Sequence, residues 1–152
     1  MVRITPLPEG LSKAPFTVYE SRALGVSPKR LRAKDLSDGG RLIYLPAGRH
    51  LEIVERARVL AAATPGAWAS HETAVVLTRL GLPPWLRGCS TIHLSKPHEL
   101  PRERRTGVTG HRVRLIPGEL TSIDGIPVTA PPRTWPDLAM VLPLNYLIAL
   151  GD

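Results

Sequence analysis

Apolar positions along this chain change their period several times, and each change marks an element. Residues 1–15 are interrupted by Pro6, Pro8, Gly10 and Pro15. Such punctuation predicts an extended arm with at most one short helix over 8–14. In FTVYESRALG, Thr17 precedes Glu20 by three residues, the spacing of a capping box, so a helix is predicted from there to about Leu24, stopped by Gly25. VSPKRLRAKDL offers Ser27 as an N-cap and Pro28 at the first helical position, where a missing N–H costs nothing. A second helix is predicted over Ser27 to Leu36, ended by Ser37-Asp38-Gly39-Gly40. RLIYLPAG then reads as a strand with its loop. Helix, tight turn, basic helix and strand pair is the order of a winged helix-turn-helix.

Beyond that point the pattern changes character. In LEIVERARVLAAATPG, Ile53, Ala57, Leu60 and Ala61 recur at helical spacing. Ser70 is placed to cap a helix over HETAVVLTRLGL, with Gly81 as its stop. STIHLS and GHRVRLI alternate apolar and polar positions as half-buried strands do. TSIDGIPVT carries Asp124-Gly125 between β-prone residues, a strong hairpin signal. Thr134 with Asp137 repeats the capping spacing and predicts a helix through Val141; PLNYLIALGD begins a last one. The fold class predicted is α+β: a winged helix-turn-helix over residues 1–49, then a small α+β region with an antiparallel sheet over 50–152.

Composition sharpens this picture. The chain is 43% hydrophobic but only 5% aromatic, so any core must be largely aliphatic. No apolar run approaches the ~18 residues of a membrane span, and MVRITPLPEG lacks the apolar stretch of a signal peptide. Cys89 is the one cysteine and has no partner for an internal disulfide. A reducing, cytoplasmic setting is expected, with no membrane partner.

Charge points to a polyanion. The net charge is +7; residues 1–50 hold 9 Lys/Arg against 4 Asp/Glu, and residues 51–152 hold 11 against 9. A basic domain attracts phosphates through its field and through counterion release. In a helix-turn-helix the second helix enters the major groove with its N-terminal residues at base edges. Those positions here are Ser27, Lys29, Arg30 and Ala33, with Arg32 and Lys34 near phosphates and Arg41 and Arg49 flanking the wing. A solvated surface would explain the same charges; the agreement of cap, turn and charge favours DNA. A second basic stretch, PRERRTGVTGHRVR, holds Arg102, Arg104, Arg105, Arg112 and Arg114 together with Glu103, and reads as a charge-guarded sheet edge.

No catalytic constellation, metal set or cofactor motif emerges from the spacing. His71-Glu72 lacks the second histidine of an HExxH helix, and Cys89 lacks a CxxC partner. His93 and His98 are close in sequence but fall on a strand and a loop. His71 is expected to cover a helix start, and Arg133 with Asp137 to form an i,i+4 ion pair. No Gly-rich loop follows a strand and no GxSxG is present, so no enzymatic activity is expected.

FTVYESRALGVSPKRLRAKDL with GRLIYLPAG, then ASHETAVVLTRLGLP, GHRVRL and DGIPVTAPPRTWPDLA, resembles the actinobacterial AbiEi-type family, antitoxin-like regulators of type IV toxin–antitoxin systems. The resemblance spans nearly the whole chain. It implies an N-terminal winged helix that binds double-stranded DNA at its own promoter and represses it. It further implies an α+β region with antitoxin activity that counters a nucleotidyltransferase-like toxin without binding it tightly. Many members continue into an endonuclease-like domain of the very-short-patch-repair type. This sequence stops at Asp152, inside a predicted helix, and is expected to be either a short form or a truncation. The alternative reading is the DNA-targeting portion of an endonuclease-like protein whose catalytic domain is missing.

Overall fold

The computed structural model describes residues 4–81, 83–84 and 90–151. Cys89 and Asp152 lie outside them. The fold is mixed α/β, with six α-helices and two sheets among the described residues. The chain separates into two compact units, residues 1–63 and 64–152.

In the first unit, α1 (Glu9–Ser12) is a single turn. β1 (Phe16–Thr17) leads directly into α2 (Val18–Ala23). The capping box forms as the spacing predicts: Glu20 N–H donates to Thr17 Oγ1 at 3.1 Å, and Thr17 N–H donates to the Glu20 carboxylate at 2.6 Å. Gly25 adopts φ +71° and ends the helix, with Val26 N–H donating back to the Ser21 carbonyl. That left-handed geometry suits a residue without Cβ.

The predicted second helix does not form over its expected length. Ser27 begins a turn whose only regular part is a 3-10 turn at Arg30–Arg32, and Ala33 is already extended. Two features draw the chain out of helix. Leu36–Asp38 is strand β2, paired antiparallel with β3 (Ile43–Pro46), and Arg30 clasps Asp35 across the bend. An α-helix through Leu36 would forfeit both. β1 pairs with the other edge of β3, giving an antiparallel sheet in the order β1-β3-β2.

Leu11, Phe16, Val26 and Leu31 form the buried centre of this unit, with Phe16 stacked on Tyr44 at 5.9 Å between centroids. α3 (Ile53–Ala62) belongs to this unit, not to the region after residue 49. Its Arg58 reaches both the Glu20 carboxylate and the Pro15 carbonyl.

In the second unit, β4 (Trp68–Ala69) precedes α4 (His71–Thr78), which ends with Arg79 in the left-handed region, two residues before Gly81. β5 (Ile92–Pro97), β6 (Arg104–Arg105), β7 (Val108–Val113), β8 (Leu120–Ile123) and β9 (Ile126–Thr129) complete a six-stranded sheet in the order β6-β7-β5-β4-β9-β8. This sheet is mixed, where an antiparallel one was expected: β5 runs parallel to β7 and β4 parallel to β9. Asp124-Gly125 forms the predicted hairpin tip, with φ +49° and +76°. β6 is an edge strand, as its arginines suggest.

α5 (Pro131–Asp137) starts before the predicted Thr134 cap, on Pro131-Pro132, whose fixed φ suits a first turn. Thr134 is buried within it and hydrogen-bonds to Thr129. α6 (Leu144–Gly151) follows, and Val75, Leu138, Leu142 and Leu147 bury one another beside it.

Candidate functional site

The eight residues proposed for DNA contact fall into three groups. Ser27, Lys29, Arg32 and Lys34 are exposed along the turn after α2, and Arg41 is exposed at the tip of the β2–β3 hairpin. Ser27 Oγ accepts from Arg30 N–H at 3.3 Å, so its hydroxyl caps the turn. Arg32, Ala33 and Arg41 line one shallow groove of about 360 Å³, together with Ser37, Asp38 and Tyr44. The structure thus brings the basic turn and the hairpin tip to a common surface. Lys29, Lys34 and Arg41 make no ion pair among the described residues.

Arg30 and Arg49 belong elsewhere. The Arg30 side chain is only 9% exposed and donates to both Asp35 oxygens, at 2.9 and 2.6 Å, and to the Thr5 carbonyl. A guanidinium engaged on three sides has no fork left for a guanine edge, so Arg30 is corrected from base reader to structural clamp. Arg49 pairs with Glu55 at the start of α3.

A second cluster lies in the other unit, where sequence spacing indicated none. His71 opens α4, His93 lies on β5 and His111 on β7. Parallel pairing sets His93 opposite Thr109, two residues from His111, so both imidazoles project from the same sheet face. One ring nitrogen from each of His71, His93 and His111 lies within 4.8 Å of the other two. His93 Nδ1 is 3.1 Å from His111 Nε2, and the His71 ring stacks on His111 at 3.8 Å. The pair close in sequence, His93 and His98, is not the pair the fold assembles.

The surroundings of the cluster are polar and buried. Glu72 Oε2 lies 3.3 Å from His93 Nδ1, yet accepts no aligned hydrogen bond among the described residues. Ser95 Oγ donates to Ser70 Oγ at 2.7 Å, and Ser70 Oγ in turn lies 3.0 Å from His71 Nδ1. Thr73 Oγ1 accepts the His93 N–H at 2.8 Å, tying the start of α4 to β5. His71 holds φ +51°, a costly conformation for a residue with a Cβ.

Burial, with the neighbouring rings and Arg133, pushes His71 down to about 3. Burial, His93 and Arg102 push His111 down to about 4. Burial also lowers His93, against the opposing pull of the Glu72 carboxylate. At neutral pH His71 and His111 are therefore uncharged and present nitrogen lone pairs.

The predicted Arg133–Asp137 pair is present at 2.9 Å, with Glu119 3.6 Å from the same guanidinium. Burial raises Asp137 despite that partner. No helix of the described residues is long and apolar enough to cross a membrane. No protein-family model and no curated protein matches this chain.

Proposed function

We propose that this chain is a DNA-binding transcriptional regulator whose first unit is a reduced winged helix-turn-helix. The observation that carries the reading is the common groove of Arg32 and Arg41, flanked by exposed Lys29 and Lys34. α2 supplies the first helix, the Ser27–Arg32 turn replaces a full recognition helix, and the β2–β3 hairpin serves as the wing. Asp35, Glu55 and Glu20 are occupied by Arg30, Arg49 and Arg58, which leaves the field of the remaining cations less opposed at this surface. Lys29 and Arg32 meet base edges or phosphates in the major groove, and Arg41 reaches the flanking backbone. The target is double-stranded DNA of the chain's own promoter. The sequence resemblance supports an autorepressing antitoxin of a type IV system, in which the second unit counters a nucleotidyltransferase-like toxin without holding it. In this reading the chain is not an enzyme, and it acts in the cytoplasm.

Fluorescence-anisotropy titration of the full chain with upstream promoter DNA tests the DNA assignment. Loss of a specific base contact is expected to cost about 1–3 kcal/mol. Log affinity is expected to fall with log salt by about 0.9 per phosphate neutralised, and Arg32→Ala or Arg41→Ala to weaken binding. Affinity that is flat with salt and the same in Arg32→Ala, Lys34→Ala and Arg41→Ala would sink the assignment.

A further inference from the structure

We propose that His71, His93 and His111 form a binding site for one first-row transition-metal dication, with the Glu72 carboxylate beside His93, zinc being the best match. The site lies wholly in the second unit and does not depend on DNA binding.

Geometry is the first argument. Zinc holds imidazole nitrogens at about 2.0–2.1 Å in a tetrahedron, which puts two ligand nitrogens about 3.3 Å apart. The His93 Nδ1 to His111 Nε2 separation is 3.1 Å. The same tetrahedron places ring centroids about 5.2 Å apart. His93–His111 is 5.3 Å and His71–His93 is 5.7 Å. The departure is the His71–His111 stack, at 3.8 Å and 15°. Parallel rings do not aim their in-plane lone pairs at one point, so metal entry must rotate one ring and open the stack.

Unsatisfied polarity is the second argument. His93 Nδ1 faces both His111 Nε2 and Glu72 Oε2, at 3.1 and 3.3 Å. One proton on that nitrogen cannot serve both. Glu72 has a side chain only 9% exposed, and its Oε2 is buried without a hydrogen bond among the described residues. A buried carboxylate oxygen left in that state is costly. A cation held by the three ring nitrogens removes the competition at His93 Nδ1 and sets a positive charge near this oxygen.

Support around the ligands is the third. When Ser70 Oγ accepts the Nδ1–H of His71, the lone pair is fixed on Nε2, which is how a partner behind a metal-bound imidazole sets its tautomer. Ser95 holds Ser70 in place from the next strand. Arg133 and Arg102 act electrostatically on His71 and His111 and oppose any cation; the Glu72 carboxylate offsets them. A set of three imidazoles suits zinc, nickel or copper and not calcium or magnesium, which need oxygen ligands. Three protein ligands tie α4, β5 and β7 together and leave a fourth position open.

The test is Zn²⁺ titration of the full chain, stripped with chelator, at pH 7.5, by calorimetry and by competition with a zinc-binding dye. One equivalent is expected to bind, and Co²⁺ in its place is expected to show the visible absorption of a tetrahedral ion. His93→Gln and His111→Gln are expected to abolish saturable binding, and Ser70→Ala to weaken it about 10–100-fold. His50→Ala combined with His98→Ala is expected to leave it unchanged. Because a ligand variant can fail for want of folding, imidazole nitrogen NMR of the unaltered chain is read as well. Zn²⁺ is expected to shift the three cluster rings and to spare His50 and His98. The proposal is overturned if no saturable uptake occurs, if uptake survives in both glutamine variants, or if the shifted rings are those of His50 and His98.

Discussion

The two units handle charge in opposite ways. Residues 1–63 hold 11 Lys/Arg against 6 Asp/Glu, and residues 64–152 hold 9 against 7. In the first unit three arginines act as staples, Arg30 to Asp35, Arg49 to Glu55 and Arg58 to Glu20, around an apolar centre built on Phe16. Their pairing leaves Lys29, Lys34 and Arg41 displayed on the surface. In the second unit the ionic groups turn inward: Lys96 and Arg105 converge on Glu103, and Arg133 bridges Glu119 and Asp137. Its interior also buries Ser70, Glu72, Thr73, Ser95, Thr129 and Thr134. Burying so many polar groups requires partners for them, and Glu72 Oε2 is one of the buried atoms that lack a hydrogen bond among the described residues. Among the described residues, the first unit displays unpaired cations on its surface, and the second holds polar groups in its interior.

The largest effect should come from emptying the centre of one unit. Phe16 is 1% exposed, and Phe16→Ala is expected to cost about 3–5 kcal/mol, enough to unfold much of the first unit. All three tryptophans of the sequence come after residue 63, and the two among the described residues, Trp68 and Trp135, belong to the second unit. Tryptophan fluorescence therefore follows that unit alone, while far-UV circular dichroism follows both. The variant should show an early loss of ellipticity with the fluorescence transition unmoved. A fluorescence transition that shifts by the same amount would show that the units unfold as one body and break the comparison.

A smaller effect separates staples from displayed cations. Arg30→Ala removes the clamp on Asp35 and on the Thr5 carbonyl, and is expected to destabilise the first unit by about 1–3 kcal/mol, the range for hydrogen bonds to charged groups. Arg32→Ala, whose side chain is exposed and donates to the Pro28 carbonyl at 3.3 Å, should stay within about 0.5 kcal/mol of the parent. Under the proposed DNA-binding function, promoter affinity should respond in the reverse sense once both variants are compared at temperatures where they remain folded. Equal denaturation midpoints for the two would remove the distinction between clamp and contact residue.

What was legible in the sequence follows the range of the interaction that decides it. Thr17 with Glu20, Gly25 and Asp124-Gly125 act within a few residues, and each forms the local structure its spacing predicts. The Ser27–Leu36 segment carries good local helix signals, yet Leu36 is claimed by β3 and Arg30 by Asp35, so tertiary pairing overrides them. Likewise the alternation in STIHLS and GHRVRLI reads correctly as strands. Nothing local says that the two run side by side and parallel, which is what puts His93 beside His111. The alternation itself gives no hint: His93 sits at a polar position of its strand, whereas His111 falls in phase with Val113 and Leu115. His71, in the left-handed region at the start of α4, joins them only through the fold.

The smallest effect concerns acid. Glu20 accepts the Thr17 N–H and pairs with Arg58, and its carboxyl lies below the usual value. Burial by itself would raise it; hydrogen bonding from the Thr17 backbone and side chain, with the Arg58 charge, outweighs that. A carboxyl depressed in the folded state binds fewer protons there than in the unfolded chain. Its contribution is then complete above the unfolded value, near 4.5, and disappears as pH falls through the lower folded value. The group is partly exposed, so screening by solvent keeps the contribution small. Glu20→Gln should lower the stability of the first unit at pH 7 and flatten its dependence on pH below about 4.5. Arg58→Met keeps an unbranched side chain and removes the charge, and should reproduce part of that flattening. Urea midpoints taken from pH 3 to 7, followed by ellipticity with tryptophan fluorescence as the internal reference for the second unit, supply the measurement. If Glu20→Gln tracks the parent at every pH, the cap and its arginine do not set the acid response of the first unit, and the staples contribute geometry without titratable stability.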